Sequence, residues 1–200
     1  MILLLAVLAG LLAGMMRAWW AAREYQVPDL RLIWLVFLAV VPQLFAFYLP
    51  ITPKWVPEKL TSGILIVSQI VLLIFVWVNR RQPGLWMLGL GLTLNLLVIS
   101  LNGGWMPISP QVVAKVAPHT PFEAWQTGDR LWNSKDKVLP IEDTRLWWLS
   151  DLFVFLSWPS YRVAFSLGDI LIAGGVLWLL WAQGGAHSQT FLIQQGILEG

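Results

Sequence analysis

The chain has 200 residues, 58% of them hydrophobic and only 12% charged, with a formal net charge of +2 and no cysteine. Ordinary globular chains carry about 25% charged residues, so this composition is not that of a soluble domain. The small, dispersed positive charge excludes a nucleic-acid partner, and the missing cysteine excludes disulfides, thiolate metal sites and a cysteine nucleophile.

The first twenty residues, "MILLLAVLAGLLAGMMRAWW", are apolar but lack a basic leader and a small-residue cleavage site. They read as a retained first helix, not as a signal peptide. Within it, Gly10 and Gly14 form a Gly-x-x-x-Gly that lets a second helix approach closely, here within the same chain. About 20 apolar residues at 1.5 Å each cross a bilayer core of about 30 Å. By that measure five spans are predicted: Ile2–Ala22, Leu32–Pro50, Leu60–Val78, Leu85–Leu101 and Val163–Ala182.

Arg17 near the end of the first span, with Arg23 and Arg31 after it, and Arg80 and Arg81 after the third are basic, whereas the loop between spans two and three holds Lys54 and Lys59. Positive residues concentrate on the cytoplasmic side, which places the N-terminus outside and the C-terminus inside. Polar residues within the spans are few: Gln43, Ser68, Gln69, Thr93 and Asn95. Such groups ordinarily bond a neighbouring helix, at about 0.6–2 kcal/mol each. No ionisable residue falls at mid-membrane, which counts against a pump or coupled transporter.

Helix four ends in "SLNGGWMPISP". Asn102, Gly103 and Gly104 accept left-handed dihedrals and stop the helix, and Pro107 forces the chain into an extended departure. Trp105 is expected to anchor this turn at headgroup depth. Asn95 and Asn102 lie on one stripe of helix four, so Asn102 is expected to face two carboxylates that follow, Asp151 and Asp169.

Residues 102–162 form a long loop on the outer side, with six basic and six acidic residues. Residues 111–145 are polar and leave room for one short helix. The stretch "LWWLSDLFVFLSW", Leu146–Trp158, is apolar again but too short to span, so it reads as a re-entrant or interfacial helix with its tryptophans at the headgroups. Asp151 inside it needs a partner, with Arg145, Arg162, an asparagine amide or a second carboxyl group as candidates. Asp169, with Ser166 three residues earlier, sits where an acidic residue favours a helix start. Beyond the fifth span, the tail from residue 185 begins at a flexible Gly-Gly and is expected to end in a short surface helix.

The motifs "RLIWLVFLAVVPQ", "LNLLVISLNGGWMPIS", "DTRLWWLSDLF" and "FSLGDILIAGG" occur in this order. Together they resemble a bacterial family of five-helix membrane proteins known only as a domain of unknown function. Its most specific elements are Asn-Gly-Gly-x-Met-Pro and Ser-x-Gly-Asp; Ser150 departs from a commoner glycine. The resemblance implies fold and topology and attaches no activity. About 30 residues around "FSLGDILIAGG" are similar to the end of lipoprotein signal peptidases, which implies a catalytic role for Asp169. Ser166 and Gly168 depart from that motif, and the second aspartate is missing from "SLNGGWMP", so Asp151 would have to substitute.

The expectation is an all-α membrane protein with five transmembrane helices and one short re-entrant or interfacial helix on the outer face. Residues 1–184 form one transmembrane domain and 185–200 a cytoplasmic tail, in a bacterial inner membrane. The expected function is a non-catalytic accessory or assembly subunit, with the bilayer and other membrane subunits as partners. The alternative is an outer-face aspartyl hydrolase using Asp151 and Asp169. Asn95, Asn102, Gly103, Gly104 and Ser166 are the surrounding binding or structural cluster. With histidines only at 119 and 187, near opposite faces, no haem, metal or other cofactor is expected.

Overall fold

A computed structural model describes residues 2–48, 57–121, 124–132, 134–157 and 161–185. The expected tail helix, together with His187, lies outside the described residues. Five apolar helices form where the greasy runs predict them: α1 (Ile2–Trp20), α2 (Trp34–Tyr48), α3 (Glu58–Val78), α4 (Leu85–Leu101) and α6 (Leu167–Gln183). Two of these, α1 and α3, are long and apolar enough to cross a membrane; α2, α4 and α6 are apolar but shorter.

Packing neighbours run in the order α2, α3, α4, α6, α1. Small residues set the closest crossings. A Cβ on Gly10 would stand 3.0 Å from the Leu177 backbone, and one on Gly91 would stand 2.5 Å from the Gly168 carbonyl oxygen. The Gly-x-x-x-Gly of α1 is therefore spent inside the chain, as expected. Between α2, α3, α4 and α6 the filling is aliphatic and aromatic, with Leu35, Phe75, Val76, Leu85, Leu92 and Leu179 buried together.

The segment from 102 to 166 builds a cap over one end of these helices, and here the all-α expectation fails. Strand β1 (Met106–Ile108) pairs in parallel with β2 (Asp136–Val138), in the register Met106 to Asp136. The expected short helix is α5 (Pro110–Val116), which starts at Ser109 with Pro110 in its first turn; the Ser109 hydroxyl accepts from the Val112 N–H. Ile108, Val112, Val113, Val116, Leu131 and Val138 make a small core of the cap's own.

The re-entrant or interfacial helix expected over Leu146–Trp158 does not form in its described residues, 146–157. A 3-10 turn covers Trp147–Leu149, and β3 (Phe153–Ser157) then pairs antiparallel with β4 (Tyr161–Phe165). Two local features exclude a helix: Leu146 is left-handed (φ 54°) and Ser150 is extended (φ −70°, ψ 177°). The residues beyond are aromatic and β-branched, which suits a half-buried strand. Because β4 occupies 161–165, the fifth helix begins at Leu167, four residues later than expected. Trp105, Met106 and Leu149 dock the cap onto the helix ends by packing with Ala46, Phe47, Leu65, Val98 and Ile99.

Candidate functional site

The polar residues singled out by the sequence fall into three groups along the seam between cap and helices. The first closes α4. Gly103 and Gly104 are left-handed (φ 73° and 85°), and the Gly104 N–H donates to the Ile99 carbonyl at 2.9 Å. That is the six-to-one bond of a glycine-terminated helix. Asn102 does not face the aspartates. Its amide nitrogen donates to the Val98 and Arg145 carbonyls at 2.7 and 2.9 Å, and its amide oxygen accepts from the Arg145 N–H at 3.0 Å. The side chain matches the hydrogen bonds of a backbone and so ties the turn at Arg145 in the cap to the helix end. Trp105, expected at headgroup depth, is 3% exposed. It lies edge-on to Phe47 (6.4 Å) and beneath the Arg130 guanidinium (4.6 Å). The cap covers this end, so an indole there meets protein in place of lipid headgroups.

A second group joins α4 to α6. Ser166 caps α6: its hydroxyl accepts from the Asp169 N–H at 3.1 Å, and the Asp169 carboxylate accepts from the Ser166 N–H at 3.1 Å. Such a reciprocal box satisfies two orphan donors of the helix start. Asn95 then bridges from α4. Its amide nitrogen donates to Asp169 Oδ1 at 2.9 Å, and its amide oxygen accepts from the Ser166 hydroxyl at 3.0 Å. Among the described residues Asn95 thus bridges two helices, as expected, whereas Ser68 and Thr93 bond their own helix at Ile64 and Gly89. Gln69 Oε1 is buried with no partner among the described residues.

The third group centres on Asp151. Its backbone N–H donates to the Pro107 carbonyl at 3.1 Å, which places it beside β1 on the flank away from β2. The side chain is fully buried, and its partner is none of the expected candidates: Lys135 Nζ donates to Oδ2 at 2.8 Å and to Asp136 Oδ1 at 3.1 Å. Asp151 Oδ1 has no partner among the described residues. Burial pushes the Asp151 carboxyl well above its usual range against the pull of Lys135, and the charges of Asp136 and Asp169 push the same way. Burial pulls Lys135 down, but Asp136, Asp151 and Asp169 together outweigh it and hold the ammonium well above the usual lysine value.

Asp151 thus feels the charge of Asp169, yet each is held by different groups. Both oxygens of Asp169 accept hydrogen bonds, from Asn95 and from the Ser166 backbone. A water-activating carboxyl pair needs the two groups to share a proton. No bond between them is present among the described residues. Lys135 and Asp136 escaped the sequence reading because "SKDK" looks like any solvated charged loop. Only their delivery to Asp151 by the β1–β2 pairing gives them a role. A cleft of about 320 Å³, lined by Glu58, Lys59, Asn102, Trp105 and Lys137 among others, opens between the start of α3 and the end of α4. Asp151 and Asp169 are not among its lining residues. No group of three or more histidines and carboxylates able to hold a metal occurs among the described residues.

Comparison with known proteins adds a family. No curated protein and no solved structure matches the chain. The model of one family matches residues 28–181, a stretch that holds α2 to α4, the whole cap and nearly all of α6. That is well over half of the 200 residues, and the chain belongs to DUF5317, a family of unknown function.

Proposed function

We propose that this protein is an integral membrane protein of five crossing helices, acting as a non-catalytic accessory or assembly subunit. One observation carries the reading: the helices wear an apolar girdle that ends, away from the cap, in a collar of tryptophan and arginine. Leu4, Phe37, Val67, Ile74, Leu90 and Leu97 are among the large side chains exposed along the helices. At the uncapped end Trp19, Trp20, Trp77, Trp86 and Trp181 are exposed as well. Arg17 lies over the Trp181 ring at 4.1 Å and Arg80 over Trp77 at 4.6 Å. Tryptophan and arginine gather in this way at a cytoplasmic membrane boundary. The cap then lies on the outer face of a bacterial inner membrane, with the N-terminus outside.

The non-catalytic part of the reading is supported by how the polar groups are used. Asn95, Ser166 and Asp169 lock two helices, Asn102 binds backbone, and Asp151 is paired with Lys135. An aspartyl hydrolase would need Asp151 and Asp169 released from those partners. Purification from native membranes in a mild detergent tests the subunit role. Co-purification of another membrane protein at fixed stoichiometry is expected; a lone monomer under several detergents refutes it. Reporter fusions to the C-terminus and to the cap test the orientation, and an external C-terminus would overturn it.

A further inference from the structure

The β3–β4 hairpin has one face too many that is apolar. Cross-strand partners share a face, so Val154 and Ala164 lie together against the cap core. Phe153 with Phe165, and Phe155 with Val163, make the opposite face. An antiparallel sheet that packs one face on a core ordinarily turns polar residues outward on the other. Here the two pairs nearest α6, Phe153 with Phe165 and Phe155 with Val163, are all apolar, and the Ser157–Tyr161 pair ends the face. Phe153 and Phe155 are 44% and 45% exposed, and the Phe153 and Phe165 rings stack at 5.5 Å with 28° between their planes.

What covers this face follows from where it stands. Phe165 is one residue before the Ser166 cap and two before the first residue of α6. On α6, Leu167, Ile170, Leu177 and Trp181 recur at helical spacing and are all exposed. They form one stripe of α6 whose first residue stands two positions after Phe165. Trp147 and Trp148, just before the hairpin, are 47% and 51% exposed. Contiguous uncharged aromatic surface of this kind marks a membrane or protein contact, and its continuity with the helix stripe selects the membrane.

We infer that the Phe153–Phe155–Phe165 face of the hairpin is a membrane-contact surface that lies in the outer leaflet at the level of the headgroup–acyl boundary. Its occupant is phospholipid. The cap is thereby fixed against the bilayer from the side as well as through the helix ends. This inference rests on the membrane reading above.

The absence of native cysteine makes the test clean. Nitroxide labels are placed singly in the 200-residue chain by F155C, F153C, L90C on the side of α4, and I141C on the cap. Each variant is reconstituted in nanodiscs of phosphatidylethanolamine and phosphatidylglycerol. Accessibility is then read as the ratio of oxygen to a water-soluble nickel complex. Sites 155 and 153 are expected to show ratios several-fold above site 141 and approaching site 90. A ratio at both hairpin sites equal to that at 141 overturns the inference, because the face then meets water. Low accessibility to both reagents also overturns it, because a protein then covers the face. If site 90 itself reads as aqueous, the membrane reading fails and takes this inference with it.

Discussion

Lys135 donates to Asp151 across 2.8 Å, and this one bond joins three pieces of the cap. Lys135 stands immediately before β2, while Asp151 is bonded through its backbone to β1 and lies two residues before β3. The ammonium also holds Asp136, the first residue of β2. A buried carboxylate is costly without such a partner, so the position of the loop before β2 is coupled to the path of the chain into the hairpin.

Removing one member of this pair should cost far more than removing both. K135M leaves Asp151 buried beside two other carboxylates and is expected to destabilise by about 3–5 kcal/mol. The double variant K135M/D151L replaces the pair with apolar side chains and is expected to recover most of that loss. Thermal unfolding in detergent reads both. Equal losses in the single and double variants would show that the two residues are not a coupled unit.

The same pair gives a pH dependence of defined sign. The folded pKa values of Asp151 and Lys135 are both raised, so each contributes stability that is complete below its unfolded value and lost as pH rises through its folded one. For Asp151 the decline begins above the unfolded carboxyl value of about 3.9, and for Lys135 above about 10.4. Stability should therefore fall with rising pH in two separate windows. D151N is expected to flatten the lower window while leaving an alkaline decline. Unfolding midpoints from pH 4 to 11 test this, and an unchanged slope above pH 4 in D151N would refute it.

At the α4–α6 crossing, backbone approach and side-chain bonding compete for the same space. A Cβ on Gly168 would stand 2.9 Å from the Gly91 carbonyl oxygen and closer still to the Asn95 amide. G168A is expected to cost about 1–3 kcal/mol by overpacking. N95A, which leaves Asp169 and Ser166 without their interhelical partner, is expected to cost about 1–3 kcal/mol. Because N95A also makes room for the new methyl, the double variant should cost less than the sum. Strict additivity would mean that Asn95 and Gly168 do not share this space.

The two glycines that end α4 should not be equivalent. Both have positive φ, so alanine at either is strained by about 1–2 kcal/mol. A Cβ at Gly103 meets nothing within 4 Å, whereas one at Gly104 would stand 2.7 Å from the Ser62 Cβ on α3. G104A is therefore expected to lower the unfolding midpoint clearly more than G103A. The reverse ranking would contradict the packing of this turn against α3.

Much of the framework is legible in the amino-acid sequence. Uncharged runs around Phe37, Val67 and Leu92 mark helices by length alone, since a long apolar stretch without turn residues has few other solutions. The helix stop at Asn102–Gly104 and the place of Asp169 near a helix start are readable because both depend on neighbours within a few residues. The hairpin is not legible there because thirteen apolar residues carry no period that separates a short helix from a strand. Phe153 and Phe165 are twelve residues apart in sequence, and only their pairing makes them one surface.

The amino-acid sequence by itself determined which segments are apolar helices, where they stop, and that Asp151 must have a partner. Tertiary structure alone decided that the partner is Lys135 and that Asn102 holds Arg145 and not the aspartates. It alone drew Asp169 to Asn95. The physical reason is range. Apolar runs and helix caps act over a few residues, whereas a buried charge is matched by whichever group the fold carries to it. The β1–β2 pairing carries a lysine from sixteen residues away into that position.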